Sequence, residues 1–461
     1  MNNNNITLRG KLLAVIADVN AEVAEREELI ELIAVALLTR NNLFILGRPG
    51  QAKSYSINLF RRHITGARQF ERLLSKQTDE EQLFGRIDLA SIIPGSAPET
   101  VFRDDPTYQR LKRELETATD DYGMFPDDLA KKVEMQEATE RLKAYRDALA
   151  AVRHTGEPCV QTAGKIPEAE IVFLDECFKA NDGVLNSLLT ALNERKYTNE
   201  GHTYAIPTIS FMAASNEIPN FADPQEKILE ALYDRLQIKV VTENIEDRDK
   251  RLAALKNKQS GRAGQVTATI SLDELLAMQR EVAAIPVPDA INELADDLLC
   301  ELRRNGLTVS DRKYLNYYPL AQAKAWLEGH DKVTPKDMLV LKCYLWEKPG
   351  DRAVVETVLT RLCVNPMQEK VNDVRTMAAE VKAEFDEGIA NAERPVSALQ
   401  KLRGELVRLY ARQQELDAAA ESDAEKAMTA DLLAELEKIN KTATEAVHFT
   451  YTPLSEVAAL Q

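Results

Sequence analysis

The octapeptide Gly47-Arg48-Pro49-Gly50-Gln51-Ala52-Lys53-Ser54, preceded by the apolar run Leu43-Phe-Ile-Leu46 and followed by a helix-compatible stretch, restricts this chain more than any other feature. A strand that runs into a Gly-rich turn and then a helix sets backbone N–H groups and the positive end of the helix dipole around one point, where a phosphate fits. In that setting Lys53 reaches the β- and γ-phosphates of a nucleoside triphosphate, and the Ser54 hydroxyl holds Mg2+. Ala52 stands where a glycine is usual before the lysine. It gives up backbone freedom but keeps a side chain too small to block the phosphates. Taken alone, the same residues also read as a Gly/Pro turn ahead of an ordinary helix.

A second segment narrows the choice. Ile171-Val-Phe-Leu-Asp175-Glu176 reads as a short buried parallel strand ending in two carboxylates, the end at which an open α/β sheet presents its ligands. Asp175 completes the metal shell, and Glu176 is placed to polarise the water that attacks the γ-phosphate. A third strand, Ile209 to Asn216, ends in an amide that orients the same water, although an Asn at a strand end is by itself commonly a turn former.

At 461 residues, with 44% hydrophobic and 29% charged residues, the chain has room for two or three domains of ordinary soluble composition. No apolar run reaches the ~18 residues of a membrane span, and the start, Met1-Asn-Asn-Asn-Asn-Ile6, has no basic and apolar leader, so a cytoplasmic protein without membrane insertion is expected. Cys159, Cys177, Cys300, Cys343 and Cys363 are scattered and odd in number, which suggests reduced thiols. Cys177, directly after the acidic pair, reads either as a redox switch or as a residue packed under the sheet end. His63, His154, His202, His330 and His448 show no ligand spacing, so no metal beyond Mg2+ is expected. The net charge of -16 argues against a surface built for phosphate backbones.

Along the chain, Glu22 to Arg40 carries a helical apolar stripe leading into the phosphate-loop strand, and a helix follows the loop to about Arg62. A strand is expected near Phe70 to Leu74, then a capping box at Thr78-Asp-Glu-Glu81 opening a short helix. The stretch between Ile93-Pro-Gly95 and Gly164 exceeds a plain sheet connection. Met135, Ala138, Leu142, Tyr145, Leu149 and Val152 recur there at helical spacing, so a helical hairpin is inserted, either as a solvated decoration or as a partner-contacting arm. From Arg103 to Arg153 it carries 10 Lys/Arg against 12 Asp/Glu, which leaves its surface balanced. Asn181 to Glu194 is helical, and Arg195 to Ile206 reads as a β-hairpin turning at Asn199-Glu-Gly201. Lys256 to Thr269 reads as a linker, and from Ile270 to about Lys348 the pattern is helical. Val354 to Leu362 and Val371 to Phe385 continue as helices. Ala398 to Leu416 and Met428 to Ile439 then form an antiparallel pair, with Gln413 breaking the leucine seam. An intramolecular hairpin is preferred over an intermolecular coiled coil.

The order of motifs resembles that of AAA+ ATPases: a phosphate loop, an acidic-pair strand, a β-hairpin before an Asn-ended strand, an Asp-Arg pair and a helical lid. The wording of Gly47 to Ser54, Pro167 to Glu176, Leu188-Leu-Thr-Ala-Leu-Asn-Glu-Arg195, Ala214-Ser-Asn-Glu217, Leu232-Tyr-Asp-Arg235 and Ser310-Asp-Arg-Lys313 is similar to the MoxR family, close to its RavA branch. The resemblance implies an α/β fold with an AAA+ P-loop parallel sheet core, a helical lid, a helical insertion and an all-α C-terminal region. The expected division is a nucleotide-binding core over 1–255 with its insert at about 97–158, a lid over 256–350 and a helical region over 351–461.

By position, the resemblance assigns residues 47–54 and Asp175 to ATP, with Ser54 and Asp175 on Mg2+. Glu176 and Asn216 go to the attacking water and γ-phosphate, Arg235 to an arginine finger reaching a neighbouring protomer, and Arg312 to the lid's phosphate sensor. Arg235 also reads as a structural Asp-Arg pair, and Arg312 as a lid salt bridge. The implied activity is Mg2+-dependent ATP hydrolysis by a homo-oligomeric ring, a hexamer, that remodels or matures a protein client such as a von Willebrand A domain protein. Two other readings stand beside it: a nucleic-acid-associated motor partnered with a nuclease, and an ATP-gated scaffold with little turnover. The insert and the helices after 350 depart from RavA itself and leave the client open.

Overall fold

The computed structural model describes residues 7–93, 96–153, 159–199, 202–221, 223, 226–259, 266–364, 366–390, 395–420 and 423–459. The chain divides into two units, one of Met1–Ala284 with Trp326–Glu328 and the other of Ile285–Ala325 with Gly329–Gln461.

In the first unit, helices α1 (Leu8–Asn20) and α2 (Glu27–Thr39) lead into strand β1 (Leu43–Leu46), and α3 (Lys53–Arg62) follows the loop that begins at Gly47. The helix expected from Glu22 begins later, at Glu27. Glu25 is left-handed at φ 53°, and its carboxylate accepts from Glu246 N and Asp247 N at 2.8 Å each, which draws the chain out of the helix.

Strand β2 (Gln69–Leu73) follows, then α4 (Glu80–Phe84). The capping box does not form: Asp79 is the N-cap and makes no side-chain cap bond, while Thr78 Oγ1 accepts from Ser75 N at 2.9 Å. The insert consists of α5 (Glu99–Asp104), α6 (Pro106–Met124) and α7 (Leu129–Arg153), as the apolar spacing predicts. Its base buries Ala97, Phe102 and Ala150. Asp105 caps α6 through Tyr108 N at 2.7 Å and receives the Tyr145 hydroxyl at 3.2 Å. Val152 is a correction: it is 79% exposed, because the buried stripe ends at Ala150. Pro94, Gly95 and 154–158, the expected ends of the insert with His154, lie outside the described residues.

The sheet is completed by β3 (Ile171–Asp175), β6 (Ser210–Ser215) and β7 (Ile238–Val241). Between β3 and β6 lie α8 (Asp182–Glu194) and the hairpin β4 (Lys196–Asn199) with β5 (His202–Ala205), and α9 (Lys227–Asp234) precedes β7. Residues 200 and 201 of the expected turn at Asn199-Glu-Gly201 lie outside the described residues. The order is β7-β1-β6-β3-β2, all parallel. Apolar runs such as Leu43-Phe-Ile and Ile171-Val-Phe-Leu are buried throughout because a parallel sheet is covered on both faces.

Two further differences concern the expected linker and lid. Lys256 to Gln259 are helical, the end of α10 (Arg248–Gln259), and 260–265 lie outside the described residues. Ile270–Ser271 pairs with Ile64–Thr65, and α11 (Leu272–Ala283) lies within the first unit. Asp18 fastens this return. Burial pushes its carboxyl up, but hydrogen bonds from Thr267 Oγ1 and N, Ala268 N and the His63 ring overcome that and hold it at about 2. Since the folded value lies below the ordinary 3.8, Asp18 contributes stability above pH ~4 that is lost as pH falls through about 2. An Asp18→Asn chain should be ~2 kcal/mol less stable at neutral pH, and urea melts should show that gap closing between pH ~4 and 2.

The second unit is helical: α12 (Asp289–Arg304), α13 (Asp311–Leu315), α14 (Tyr318–Glu328, whose last three residues count with the first unit), α15 (Arg352–Val364), α16 (Pro366–Ala390), α17 (Pro395–Ala419) and α18 (Asp423–Ala446). The expected antiparallel pair is α17 with α18, and α16 joins it around Val371, Val374, Leu402, Leu406, Leu432 and Leu436. Gln413, which interrupts the leucines, is buried and donates from Nε2 to Thr429 O at 3.0 Å, so the polar break is satisfied inside the hairpin.

Candidate functional site

Strand register brings the motifs to one edge. Leu46 pairs with Ser215, and Asp175 with Ala214, so Gly47, Asn216 and Glu176 leave the sheet side by side. Gly47 N donates to Ser215 O at 3.1 Å. Gly47 is required by space: a Cβ there would lie 2.0 Å from Thr242 Oγ1 and 2.5 Å from Gln51 Oε1. Ala52, just before α3, is left-handed at φ 60°, a conformation that costs a non-glycine residue about 1–2 kcal/mol. The departure noted in the sequence is therefore a strained position within the loop.

The loop is clamped from behind by residues the motifs did not indicate. Arg26 is buried, and its guanidinium donates to Gln51 O at 3.1 Å and to Glu243 O at 2.7 Å. Gln51 Nε2 donates to Asn244 Oδ1 at 3.2 Å, and Gln51 Oε1 accepts from Thr242 Oγ1 at 3.2 Å. Arg26 stands between Glu25 and Glu27, a pattern that in sequence reads as solvated charge, so nothing in the spacing singles it out.

Within the loop Lys53 is buried. Its ammonium donates to Gly47 O, to Arg48 O at 3.3 Å and to Asn216 Oδ1 at 2.7 Å. Burial pushes its pKa down, and the carboxylates of Asp175 and Glu176 partly offset that. Ser54 Oγ donates to Asp175 Oδ2 at 2.8 Å, and Asp175 Oδ1 accepts from Glu176 N at 3.0 Å. Glu176 is left-handed at φ 54° and accepts from Asn216 Nδ2 through Oε1. Its Oε2 is buried without a hydrogen bond but lies 3.2 Å from Lys179 Nζ. Lys179, three residues after Glu176, is a second contributor that sequence reasoning passed over. Arg48, Pro49, Gly50 and Ala52 are exposed around this cluster.

Arg235 caps the C-terminal end of α9 in the same unit. Among the described residues its Nη1 donates to Ala231 O at 2.7 Å, and Nε is buried with no partner. Arg312 is carried by the second unit, on α13, where Ser310 caps the helix. Cys177 packs in the core under the sheet end, and burial pushes its thiol well up, which disfavours a reactive thiolate.

Among the described residues no group of three or more His, Cys, Asp or Glu side chains is placed to hold a metal ion. The adjacent Ser54 hydroxyl and Asp175 carboxylate are a hard-oxygen pair that suits Mg2+ shared with substrate phosphate. The edge thus gathers a cation, two carboxylates and an amide around a loop of backbone donors.

Residues 10–101 and 148–280 match the model of the "MoxR domain in the MoxR-vWA-beta-propeller ternary systems", and residues 287–359 match an AAA lid domain. The gap between the two matched segments falls on the helical insert. Two uncharacterized proteins of Methanocaldococcus jannaschii are similar: MJ0079 is 26% identical over 81% of this chain and 80% of its own, and MJ0812 is 26% identical over 72% and 71%. The crystal structure of a "putative ATPase" from Cytophaga hutchinsonii shares the fold, with a TM-score of 0.51 at 15% identity over 76% of this chain and 94% of that one. With its parallel sheet, matched by the MoxR domain, and its AAA lid, the chain belongs to the MoxR family of AAA+ ATPases.

Proposed function

We propose that the chain hydrolyses ATP at a site completed by a second protomer, and uses the cycle to remodel or mature a protein partner. The observation that carries this reading is the continuous set of contacts Ser54–Asp175 and Lys53–Asn216–Glu176 at one sheet edge. The loop N–H groups and Lys53 bind the β- and γ-phosphates, Asn216 orients the attacking water, and Glu176 accepts its proton. Ser54 and Asp175 are the residues that would hold Mg2+, which when bound neutralises charge on the phosphate oxygens. Arg235, whose buried Nε has no partner among the described residues, serves the neighbouring protomer's γ-phosphate in a ring, taken as a hexamer. Arg312 reads the phosphate from the lid.

The motif wording supports a place close to the RavA branch. The family description, which names ternary systems, supports a von Willebrand A domain protein as partner. Scattered cysteines support a reducing, cytoplasmic setting, and among the described residues no helix is long and apolar enough to cross a membrane. The insert supports a partner-contacting role through its tip, where Met124, Phe125 and Leu129 are 71%, 57% and 77% exposed.

The test is ATP hydrolysis measured across a protein dilution series, with Lys53→Ala as the control for the phosphate seat. Specific activity should rise with the oligomeric fraction, and Lys53→Ala should weaken ATP binding by ~10-fold or more, as loss of a charged phosphate contact implies. The same specific activity in monomer and oligomer would sink the two-protomer site.

A further inference from the structure

Asn42 lies just before β1, 1% exposed, and both ends of its amide are engaged. Nδ2 donates to Arg235 O at 2.9 Å and to Leu192 O at 3.3 Å. Oδ1 accepts from Arg195 Nη2 at 2.8 Å and from Phe211 N at 3.3 Å. Its main chain adds a donation to Gln237 Oε1 at 3.2 Å and acceptance from Ile238 N at 3.1 Å. One buried side chain therefore holds the carbonyl of Arg235, the last turn of α8 and the start of β6. From that point β1 runs to Gly47 and β6 runs to Asn216, both at the phosphate edge.

Arg195 braces the amide. Its guanidinium also donates to Leu192 O at 3.0 Å and Arg40 O at 3.2 Å, and it lies 5.0 Å over the Phe211 ring. Burial, and then the nearby Arg40, push it down to about 10. A half-buried cation with no carboxylate partner among the described residues is costly to retain and is tolerated where its hydrogen bonds fix geometry. Arg235 shows the opposite balance: its backbone is pinned, through Asn42 at the carbonyl and Leu232 O at 3.1 Å from its N–H, while its Nε has no partner among the described residues.

We propose that Asn42, braced by Arg195, is the positioning residue for Arg235: it fixes that backbone relative to β1 and β6, so that the guanidinium is aimed at a second protomer's γ-phosphate. The proposal rests on Arg235 acting in trans. A misplacement of ~1 Å in such a group costs ~100-fold in rate, so a single amide is enough to matter.

Mixed oligomers test it. Lys53→Ala chains keep the guanidinium but lack the phosphate seat, and Arg235→Ala chains keep the seat but lack the guanidinium. Each should be inactive alone, and the mixture should recover hydrolysis at the interfaces where the two complement. Asn42→Ala placed on the Lys53→Ala chain should cut the recovered kcat by ~10- to 100-fold with KM for ATP unchanged. The same substitution on the Arg235→Ala chain should leave recovery within ~2-fold. Asn42→Asp, which keeps the volume and still accepts from Arg195 but sets an oxygen against Arg235 O and Leu192 O, should repeat the asymmetry without opening a cavity. Equal loss on either chain, or no loss on both, overturns the role of Asn42. Failure of the starting pair to complement instead removes the trans site itself, and the proposal falls with it.

Discussion

An Arg235→Ala chain is expected to bind ATP nearly as tightly as the native chain and to lose ~10³-fold or more in turnover. Phosphoryl transfer spreads negative charge over equatorial oxygens, and a guanidinium delivered across an interface neutralises it only as it develops. Within its own chain Arg235 caps the end of α9, while the cluster of Lys53, Asp175, Glu176 and Asn216 stands at the strand ends, so binding in cis should survive its loss. Nucleotide titration and steady-state hydrolysis on the same preparation check both halves. Full turnover in the variant would return Arg235 to a structural Asp-Arg pair. Weakened binding at normal turnover per bound nucleotide would move it into the cis site.

Glu176→Gln should fold normally, hold ATP and hydrolyse it ~10²- to 10⁴-fold more slowly, the range lost with a general base. The amide keeps the shape of the carboxylate, and its oxygen can still accept from Asn216 Nδ2, so the network stays closed while the proton acceptor is gone. The left-handed backbone at Glu176 is unchanged, which removes strain as a competing explanation. Single-turnover measurements should find intact ATP on the protein after the native chain has converted its own to ADP. Unchanged hydrolysis would assign the base elsewhere, with Asp175 next in reach of the same edge.

The order of strands and helices in the first unit was legible because each strand is a short apolar run and each motif sits where a parallel sheet presents ligands. Gly47 to Ser54, Asp175-Glu176 and Asn216 could be placed together from sequence, and register alone joins them. Boundaries were less legible. Glu25 leaves the helical pattern through contacts with Glu246 and Asp247, far away in sequence, and Ile270–Ser271 is claimed by a strand pairing with Ile64–Thr65 that no local pattern announces. Thr78 carries the residues of a capping box, yet Ser75 takes its hydroxyl. The supports of the site stayed hidden for the same reason. Arg26, Asn42 and Arg195 act through backbone carbonyls, and a carbonyl has no sequence signature.

Lys53 spends its ammonium on Gly47, Arg48 and Asn216, and Asn216 in turn occupies Glu176. On the proposed reading, an incoming γ-phosphate competes with the protein's own amide for that lysine. Winning it uncouples Asn216 from Lys53 and leaves it free to turn toward the water. Departure of inorganic phosphate lets the amide close back on the ammonium. On that reading the Asn216 amide is the γ-phosphate's rival for the lysine, and its bond to Glu176 ties the glutamate to the same exchange.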